Sequence, residues 1–290
     1  MLRKQTILAF SLLILLTCSC ILGIEIPVTT EPKTGETITE SIDIAVPSSY
    51  ETPMSVTLSF GAGTLQLLPS TGNSLLSGTA IYNVEDFKPE IAVTDNDVTI
   101  KQGNLKLNAV PTLNDKIKNE WNLALSALPV DLTVKAGAYK GDYELGGLAI
   151  TNLHIADGAS TVELSFSLPN QANMNSFRYE TGASNITLNN LGNANFQTMI
   201  FQSGAGNYTL DFSGTLQQNA SVFIEMGLSK LTITVPKGVP AEARFEGPLA
   251  QVTVKGDWEE SGDTYSQTGQ GHQLTFTIEV NAGTVTLRNP

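Results

Sequence analysis

The sequence predicts an all-β protein in which short strands, joined at Gly-Ala corners, stack into a single-stranded β-solenoid. Short segments of alternating apolar and polar residues follow one another, as expected for strands with one buried face. Glycines recur at Gly137, Gly158, Gly182, Gly204 and Gly227, separated by 21, 24, 22 and 23 residues. A second alternating segment follows most of these glycines. Near-equal spacing with the same internal plan is typical of a stacked repeat, in which glycine permits a positive φ or a close backbone approach at each corner.

The composition agrees with this fold and argues against one class of partner. Only 15% of the 290 residues are charged, against about a quarter in an average soluble domain. The formal net charge is −12. Because an acidic surface repels phosphate backbones, we expect no nucleic-acid partner.

The first residues have the pattern of an export signal. Arg3 and Lys4 precede an apolar run over residues 7–16, which is too short to be read first as a spanning helix. Two cysteines follow this run. We therefore predict that residues 1–20 are a signal peptide of the lipoprotein type, with Cys20 as the acylated residue and Cys18 as the alternative. An uncleaved membrane anchor is the other interpretation. A mature chain beginning at Cys20 would have no disulfide and no thiolate metal site.

Three further segments are predicted after the signal. Residues 21–54 are rich in Pro, Thr and Glu, which favours a disordered spacer. Residues 55–120 contain one early corner but a blurred repeat, and we assign them to a smaller N-terminal β subdomain. Residues 121–290 form the predicted β-solenoid domain, opened by Trp121. Its last fifty residues are expected to act as a C-terminal cap, with a hairpin around Asp257–Asp263.

Several short segments resemble a known group of bacterial proteins. They are the stretch 61–67 (Gly-Ala-Gly-Thr-Leu-Gln-Leu), Tyr82-Asn83 with Lys88-Pro89, Trp121–Leu125 with Pro129–Leu132, and 235–240. Together they resemble the toast-rack β-solenoid families, which include candidate adhesins and the C-terminal domain of LiaF-type envelope-stress regulators. The resemblance implies a domain of unknown function without catalytic residues. LiaF-type proteins usually carry several membrane-spanning helices before this domain, whereas this chain has one export segment.

Residues able to perform catalysis are few. His154 lies between two apolar residues, so alternation points it outward, and His272 lies in a turn; neither has an acidic residue at metal-ligand spacing. No Gly-x-Ser-x-Gly motif is present. The acidic candidates for a glycan-acting enzyme are Asp211, Glu225 and the Asp257–Asp263 group, but outward positions on strands favour a role in solubility. We predict no catalytic residue, no metal site, no cofactor and no enzyme activity.

Exposed aromatic residues are the one predicted contact surface. Trp258 stands beside acidic residues at the hairpin, and Tyr265 is nearby, so the two could form a patch that contacts sugar or protein. Phe177 and Tyr179 flank Arg178 and are a second possibility. The alternative interpretation is that Phe177 and Tyr179 belong to the core and that Trp258 caps the solenoid, since solenoid ends need covering.

These observations lead to one functional hypothesis and three alternatives. We expect a non-enzymatic, extracytoplasmic β-solenoid, tethered to the outer face of the cell membrane by its N-terminal lipid or anchor. It would act as an adhesin-like or envelope-protein-binding module whose partner is envelope protein or wall polysaccharide. A regulatory accessory of an envelope-stress sensor is the first alternative, and a glycan-acting enzyme is the second. Structural self-association, edge to edge or end to end, is the third.

Overall fold

The computed structural model describes residues 33–48, 53–103, 116–246 and 250–290, all of them within one compact unit. They form a 16-stranded sheet. Its strands are β1 (Ile38–Ala45), β2 (Met54–Pro69), β3 (Ser74–Tyr82), β4 (Pro89–Thr94), β5 (Asp97–Gln102), β6 (Asn119–Leu125), β7 (Pro129–Glu144), β8 (Ala149–Ser165), β9 (Met174–Asn189), β10 (Phe196–Asp211), β11 (Ala220–Thr234), β12 (Ala241–Glu246), β13 (Ala250–Lys255), β14 (Glu259–Ser261), β15 (Thr264–Gln267) and β16 (Leu274–Arg288). Short 3-10 helices occupy Glu85–Phe87 and Leu191–Ala194.

Seven long strands form the body of the sheet. They stack in the order β2-β7-β8-β9-β10-β11-β16, and every neighbouring pair is parallel. Each contains 15 to 17 residues. The prediction of an all-β solenoid built from repeated rungs is confirmed, and the early and late corners at 61–63 and 281–283 belong to full rungs of the same stack.

Each long strand folds back on itself at its corner. Phe196 begins β10 and Phe212 follows its last residue, yet the centroids of their rings are 6.5 Å apart. A straight strand of that length would separate them by about 50 Å. Inside the bend, the rings of Phe201 and Tyr208 meet edge to face, with their centroids 5.2 Å apart. Each rung therefore has a first half before the corner and a second half after it, with the hydrophobic core between the two halves.

The corner glycines are needed because successive corners stack very closely. A Cβ atom added to Gly182 would lie 2.4 Å from the carbonyl oxygen of Gly158, and one on Gly204 would lie 2.6 Å from that of Gly182. The same atom on Gly137 or Gly227 would lie 2.3 Å from the glycine carbonyl of the rung before. None of the five predicted corner glycines has a positive φ. Close backbone approach, rather than unusual dihedral angles, thus accounts for the glycine spacing.

The predicted boundary at 120/121 is wrong. Strand β2 pairs with β7 in continuous register from Met54 to Leu67, so the regular stack begins in the segment assigned to a separate subdomain. Trp121 does not open the stack; it lies in β6, which pairs with β2 and antiparallel to β3 at the N-terminal end. The blurred repeat reflects strands β3 to β6, which cover the first rung instead of adding another rung of the same kind.

The expectation of a disordered spacer is also wrong for part of its length. Ile38–Ala45 forms β1, which pairs antiparallel with β3. Ile42 and Ile44 alternate with exposed residues and are buried, and this short apolar alternation is stabilised because β3 supplies a partner edge. The remainder of the predicted spacer before residue 33, and residues 49–52, lie outside the described residues.

The two ends of the stack are covered in similar ways. At the N-terminal end, β5 pairs with the first half of β2 and β6 with its second half. At the C-terminal end, β12 and β13 pair with the two halves of β16. Antiparallel strands then extend both ends, among them the β14–β15 hairpin. The predicted hairpin around Asp257–Asp263 is confirmed, with its turn at Gly262-Asp263.

Candidate functional site

The outer face of the first halves carries polar side chains in straight rows. The parallel register places Glu180, Gln202 and Glu225 side by side on β9, β10 and β11, each two residues before its corner glycine. A second row, four residues before the glycine, contains His154, Arg178, Ile200 and Phe223. Both rows point outward because side chains two residues apart share one face of a strand. We call this surface the first-half outer face.

A continuous chain of hydrogen bonds links these rows. Nη2 of Arg178 donates to Oε1 of Glu180 at 2.8 Å and to Oε1 of Gln202 at 2.7 Å. Nε2 of Gln202 in turn donates to Oε2 of Glu225 at 2.8 Å. Nε2 of His154 lies 2.7 Å from the second oxygen of Glu180. The side chains of four successive rungs are therefore held in one arrangement before any ligand arrives.

Glu180 is the electrostatic centre of this chain. The hydrogen bond from Arg178, followed by that of His154, lowers the pKa of Glu180 from 4.5 to about 2, although desolvation opposes the shift. Both of its oxygens already have a partner. Glu180 consequently stays a carboxylate at neutral and mildly acidic pH.

An open groove of about 690 Å³ runs along the first-half outer face beside the corners. Its lining comes from five successive strands, β8, β9, β10, β11 and β16, and includes Asp157, Glu180, Gln202, Glu225 and Asn281. Four strand spacings of about 4.8 Å make the groove roughly 19 Å long. Such a length suits an extended ligand better than a small, enclosed one. We call this cavity the corner groove.

Asp157 forms one end of the corner groove and reaches into the core. Its carboxylate accepts a hydrogen bond from the hydroxyl of Tyr179 at 2.8 Å, another from Thr181, and a longer one from Tyr139 at 3.4 Å. Burial, above all, raises the pKa values of Tyr139 and Tyr179 well above 10, and the nearby Asp157 charge adds to the effect. Asp157 is thus a fixed hydrogen-bond acceptor, held by hydroxyl groups that stay protonated.

Phe223 was not among the residues singled out from the sequence. It lies on β11, two residues before Glu225, and 46% of its surface is exposed. The signal for it was available, because counting back four residues from each corner glycine puts Phe223 in one row with His154 and Arg178.

The predicted aromatic patch is arranged as a cap. Trp258 is half-buried and packs against the hydrophobic core, while the ring of Tyr265 meets that of Phe245 edge to face at 5.5 Å. Phe177 and Tyr179 are fully buried, as the alternative interpretation predicted. Contact of Trp258 and Tyr265 with a ligand stays a prediction.

The remaining candidate residues are distributed over the surface. His154 points outward as expected but contacts Glu180, and His272 is exposed. Asp211 accepts hydrogen bonds from the backbone and hydroxyl of Ser213, and Asp257 pairs with Lys237 at 3.2 Å. Within residues 33–48, 53–103, 116–246 and 250–290, no group of acidic, histidine or cysteine side chains could hold a metal ion. Cys18 and Cys20 lie outside the described residues.

No helix in the described part of the chain is long and apolar enough to cross a membrane.

Comparison with known proteins identifies the family. No curated protein is significantly similar to the chain. Among solved structures, a candidate cell adhesion protein from Clostridium sporogenes has 22% identity and a TM-score of 0.47, covering 88% of this chain and 100% of that one. A candidate adhesin from Bacteroides fragilis has 8% identity and a TM-score of 0.35, covering 89% and 100%. A candidate lipid-binding protein from Parabacteroides distasonis has 10% identity and a TM-score of 0.35, covering 89% and 99%. The model of the N-terminal domain of toast-rack proteins (DUF2154) matches residues 33–189, which is more than half of the 290 residues, and the chain therefore belongs to the toast-rack family.

Proposed function

We propose that this protein is a non-enzymatic, adhesin-like binding module, tethered to the outer face of the cell membrane, that captures envelope material in its corner groove. The observation that carries the proposal is the hydrogen-bonded row from His154 to Glu225 along a groove that crosses five rungs. A rigid, elongated polar surface can recognise a ligand with little ordering cost.

The protonation and the hydrogen bonds of the acidic groups favour ligand binding over hydrolysis. A glycan-hydrolysing enzyme needs a carboxylic acid whose pKa is raised, so that it can donate a proton near neutral pH. Glu180 has the opposite property, since its pKa is lowered to about 2. Asp157 is committed to hydroxyl donors. These carboxylates can accept hydrogen bonds from a ligand but are poorly suited to proton transfer.

The tether is proposed from the sequence. Residues 1–20 would direct export and supply Cys20, or Cys18, for acylation. The residues between Cys20 and β1 would then keep the solenoid clear of the bilayer. In this arrangement the corner groove of a membrane-anchored protein could reach neighbouring envelope components.

The proposal can be tested with bacterial cells that display the full chain. Fluorescent envelope fragments from the same strain are added, and their retention is measured. We expect cells carrying Glu225→Lys to retain about tenfold less than wild type, because the substitution reverses one groove charge and removes the acceptor of Gln202. The double substitution Cys18→Ser/Cys20→Ser should release the chain from the cells and abolish retention.

Thr232→Lys is the matched control. It introduces the same side chain into the same strand, β11, but on the outer face of the second half. Cells carrying it should retain as much as wild type. Equal retention by cells with and without the protein would reject the binding function. Equal loss in both lysine variants would mean that the corner groove is not the site.

A further inference from the structure

We propose that the ligand of the first-half outer face is an uncharged polysaccharide chain and that Phe223 is the platform on which a sugar ring stacks. This inference rests on the proposed function and names the chemical class of its ligand. It follows from the exposed aromatic ring, the polar groups on both sides of it, and the lack of a free backbone edge.

Phe223 is exposed without a structural need. Among the described residues it is the one aromatic side chain that is exposed and not buried or half-buried, whereas Phe201 and Phe212 on the neighbouring rung are buried. Its row contains threonine at Thr133 and Thr277, so the fold accepts a small polar residue there. Phe223 therefore gives this polar face an apolar ring against which a ligand could pack.

Polar cavities flank Phe223 on both sides. The corner groove begins two residues after it, at Glu225. On the other side, starting two residues before it at Ser221, lies a second groove of about 370 Å³. This groove is lined by amide and hydroxyl side chains: Gln197, Thr198, Asn219, Ser221, Gln273 and Thr275. We call it the amide groove.

This arrangement matches the chemistry of a sugar. A sugar ring presents C–H groups on its faces, which pack against an aromatic ring, and hydroxyl groups at its edge, which bond to amides and carboxylates. Phe223 supplies the apolar contact, while Gln202 and Glu225 on one side and Asn219 and Ser221 on the other supply hydrogen-bonding groups. The combination of a ring between two polar grooves fits successive sugar units of one chain.

An extended peptide fits this face less well. A peptide strand binds most readily by pairing with an exposed sheet edge. Strands β10, β11 and β16 have neighbours on both sides, so their backbone groups are already used in the ladders. The face consequently offers only side chains, which a polyol can use and which would leave much of a peptide backbone without partners.

The charges on the face select against acidic polymers. Glu225 and Glu279 are adjacent in register on β11 and β16, and both are exposed. Among the cations in register with these rows, the guanidinium of Arg178 is engaged by Glu180 and Gln202, and that of Arg244 on β12 lies 3.5 Å from Glu246. Lys135 lies on β7, beyond the strands that line the corner groove. An anionic polysaccharide would meet uncompensated carboxylates, whereas hydroxyl or acetamido groups could donate hydrogen bonds to them.

The test uses the full chain in detergent and calorimetric titration with neutral tetrasaccharides of glucose, mannose and N-acetylglucosamine. Tetragalacturonate is the anionic comparison. We expect saturable binding of at least one neutral tetrasaccharide and none of the anionic one. Phe223→Thr should weaken this binding about tenfold or more, as expected for an aromatic anchor. Leu168→Thr, which replaces an exposed apolar residue in the turn after β8, should bind like wild type.

Several results would overturn the inference. They are failure of all three neutral tetrasaccharides to bind, tighter binding of tetragalacturonate, and equal affinity in Phe223→Thr and wild type when thermal unfolding shows both to be folded. None of these would by itself remove the proposed function. If cells displaying the chain still retain envelope fragments through the corner groove while the sugars fail, the protein is a binding module with a ligand of another class.

Discussion

The two outer faces of the solenoid use the same strands but carry different residues. On the second halves of β9, β10, β11 and β16, one row consists of Thr187, Thr209, Thr232 and Thr286, which are adjacent in register. On the first halves, the rows contain an arginine, two glutamates, a glutamine and an exposed phenylalanine. Threonine is a common residue at half-exposed strand positions, so this row needs no explanation beyond the fold. The corresponding rows of the first halves depart from it around the grooves.

The largest expected effect is a loss of folding stability at alkaline pH. It affects both faces equally, because they enclose the same hydrophobic core. Burial raises the pKa values of Tyr139, Tyr143 and Tyr179 well above 10. A raised folded-state pKa means that the stabilisation is complete below the unfolded pKa of 10 and is lost as pH rises beyond it. With three tyrosines, we expect a loss of about 4 kcal/mol by pH 11 relative to neutral pH. Urea unfolding at several pH values measures this loss.

Tyr143→Phe provides the internal comparison for the alkaline loss. It removes one ionisable hydroxyl, whose hydrogen bond is donated to Tyr139 at 3.1 Å, and should make stability fall less steeply above pH 10. A variant whose stability falls as steeply as that of wild type would show that the buried tyrosines do not control alkaline unfolding.

A smaller effect is expected at the corner that joins the two faces. Gly182→Ala would bring a Cβ atom to 2.4 Å from the carbonyl oxygen of Gly158, whereas in Gly158→Ala the nearest such oxygen, that of Gly137, is at 3.1 Å. We expect Gly182→Ala to cost about 1–3 kcal/mol, as overpacking typically does, and Gly158→Ala to cost clearly less. The free energy of unfolding in urea measures both, and equal losses would contradict the stacked-corner explanation.

The corner glycines also show how much of the fold and of the site could be predicted from the sequence. Their spacing predicted the solenoid, and counting back from them would have placed Phe223 and Glu225 on one face. Counting back one residue would also have paired Asp157 with Thr181, which are adjacent in register. The hydrogen bond from Tyr179 to Asp157 could not be found in this way, because Tyr179 lies two positions out of register on the next rung and reaches Asp157 only from inside the corner. The end strands were missed for another reason. Strands β3 to β6 pair partly antiparallel and do not follow the repeat, so periodicity carries no information about them.

The smallest expected effect is a loss of folding stability at acidic pH. It distinguishes the two faces, because it arises from Glu180 on the first-half outer face alone. The pKa of Glu180 is lowered from 4.5 to about 2 by Arg178 and His154. A depressed carboxylate pKa stabilises the fold above pH 4.5, and this contribution is lost as pH falls toward 2. Since 37% of the Glu180 side chain is exposed, solvent screening should limit the contribution to less than about 1 kcal/mol.

Glu180→Gln should remove this part of the acid dependence. Urea unfolding between pH 5 and pH 2, a range that covers the change in the Glu180 pKa from 4.5 to about 2, would then show a smaller loss of stability than in wild type. Glu163→Gln is the matched control, because it neutralises an outward carboxylate in register with Thr187 on the other face. If both substitutions change the acid dependence equally, the Arg178–Glu180–His154 cluster contributes no more than an ordinary surface charge, and its value lies in holding the groove in shape. If Glu180→Gln alone reduces the loss of unfolding free energy at low pH, the ordered row stabilises the fold as well as presenting the ligand surface. The two outer faces then differ in their contribution to stability as well as in composition.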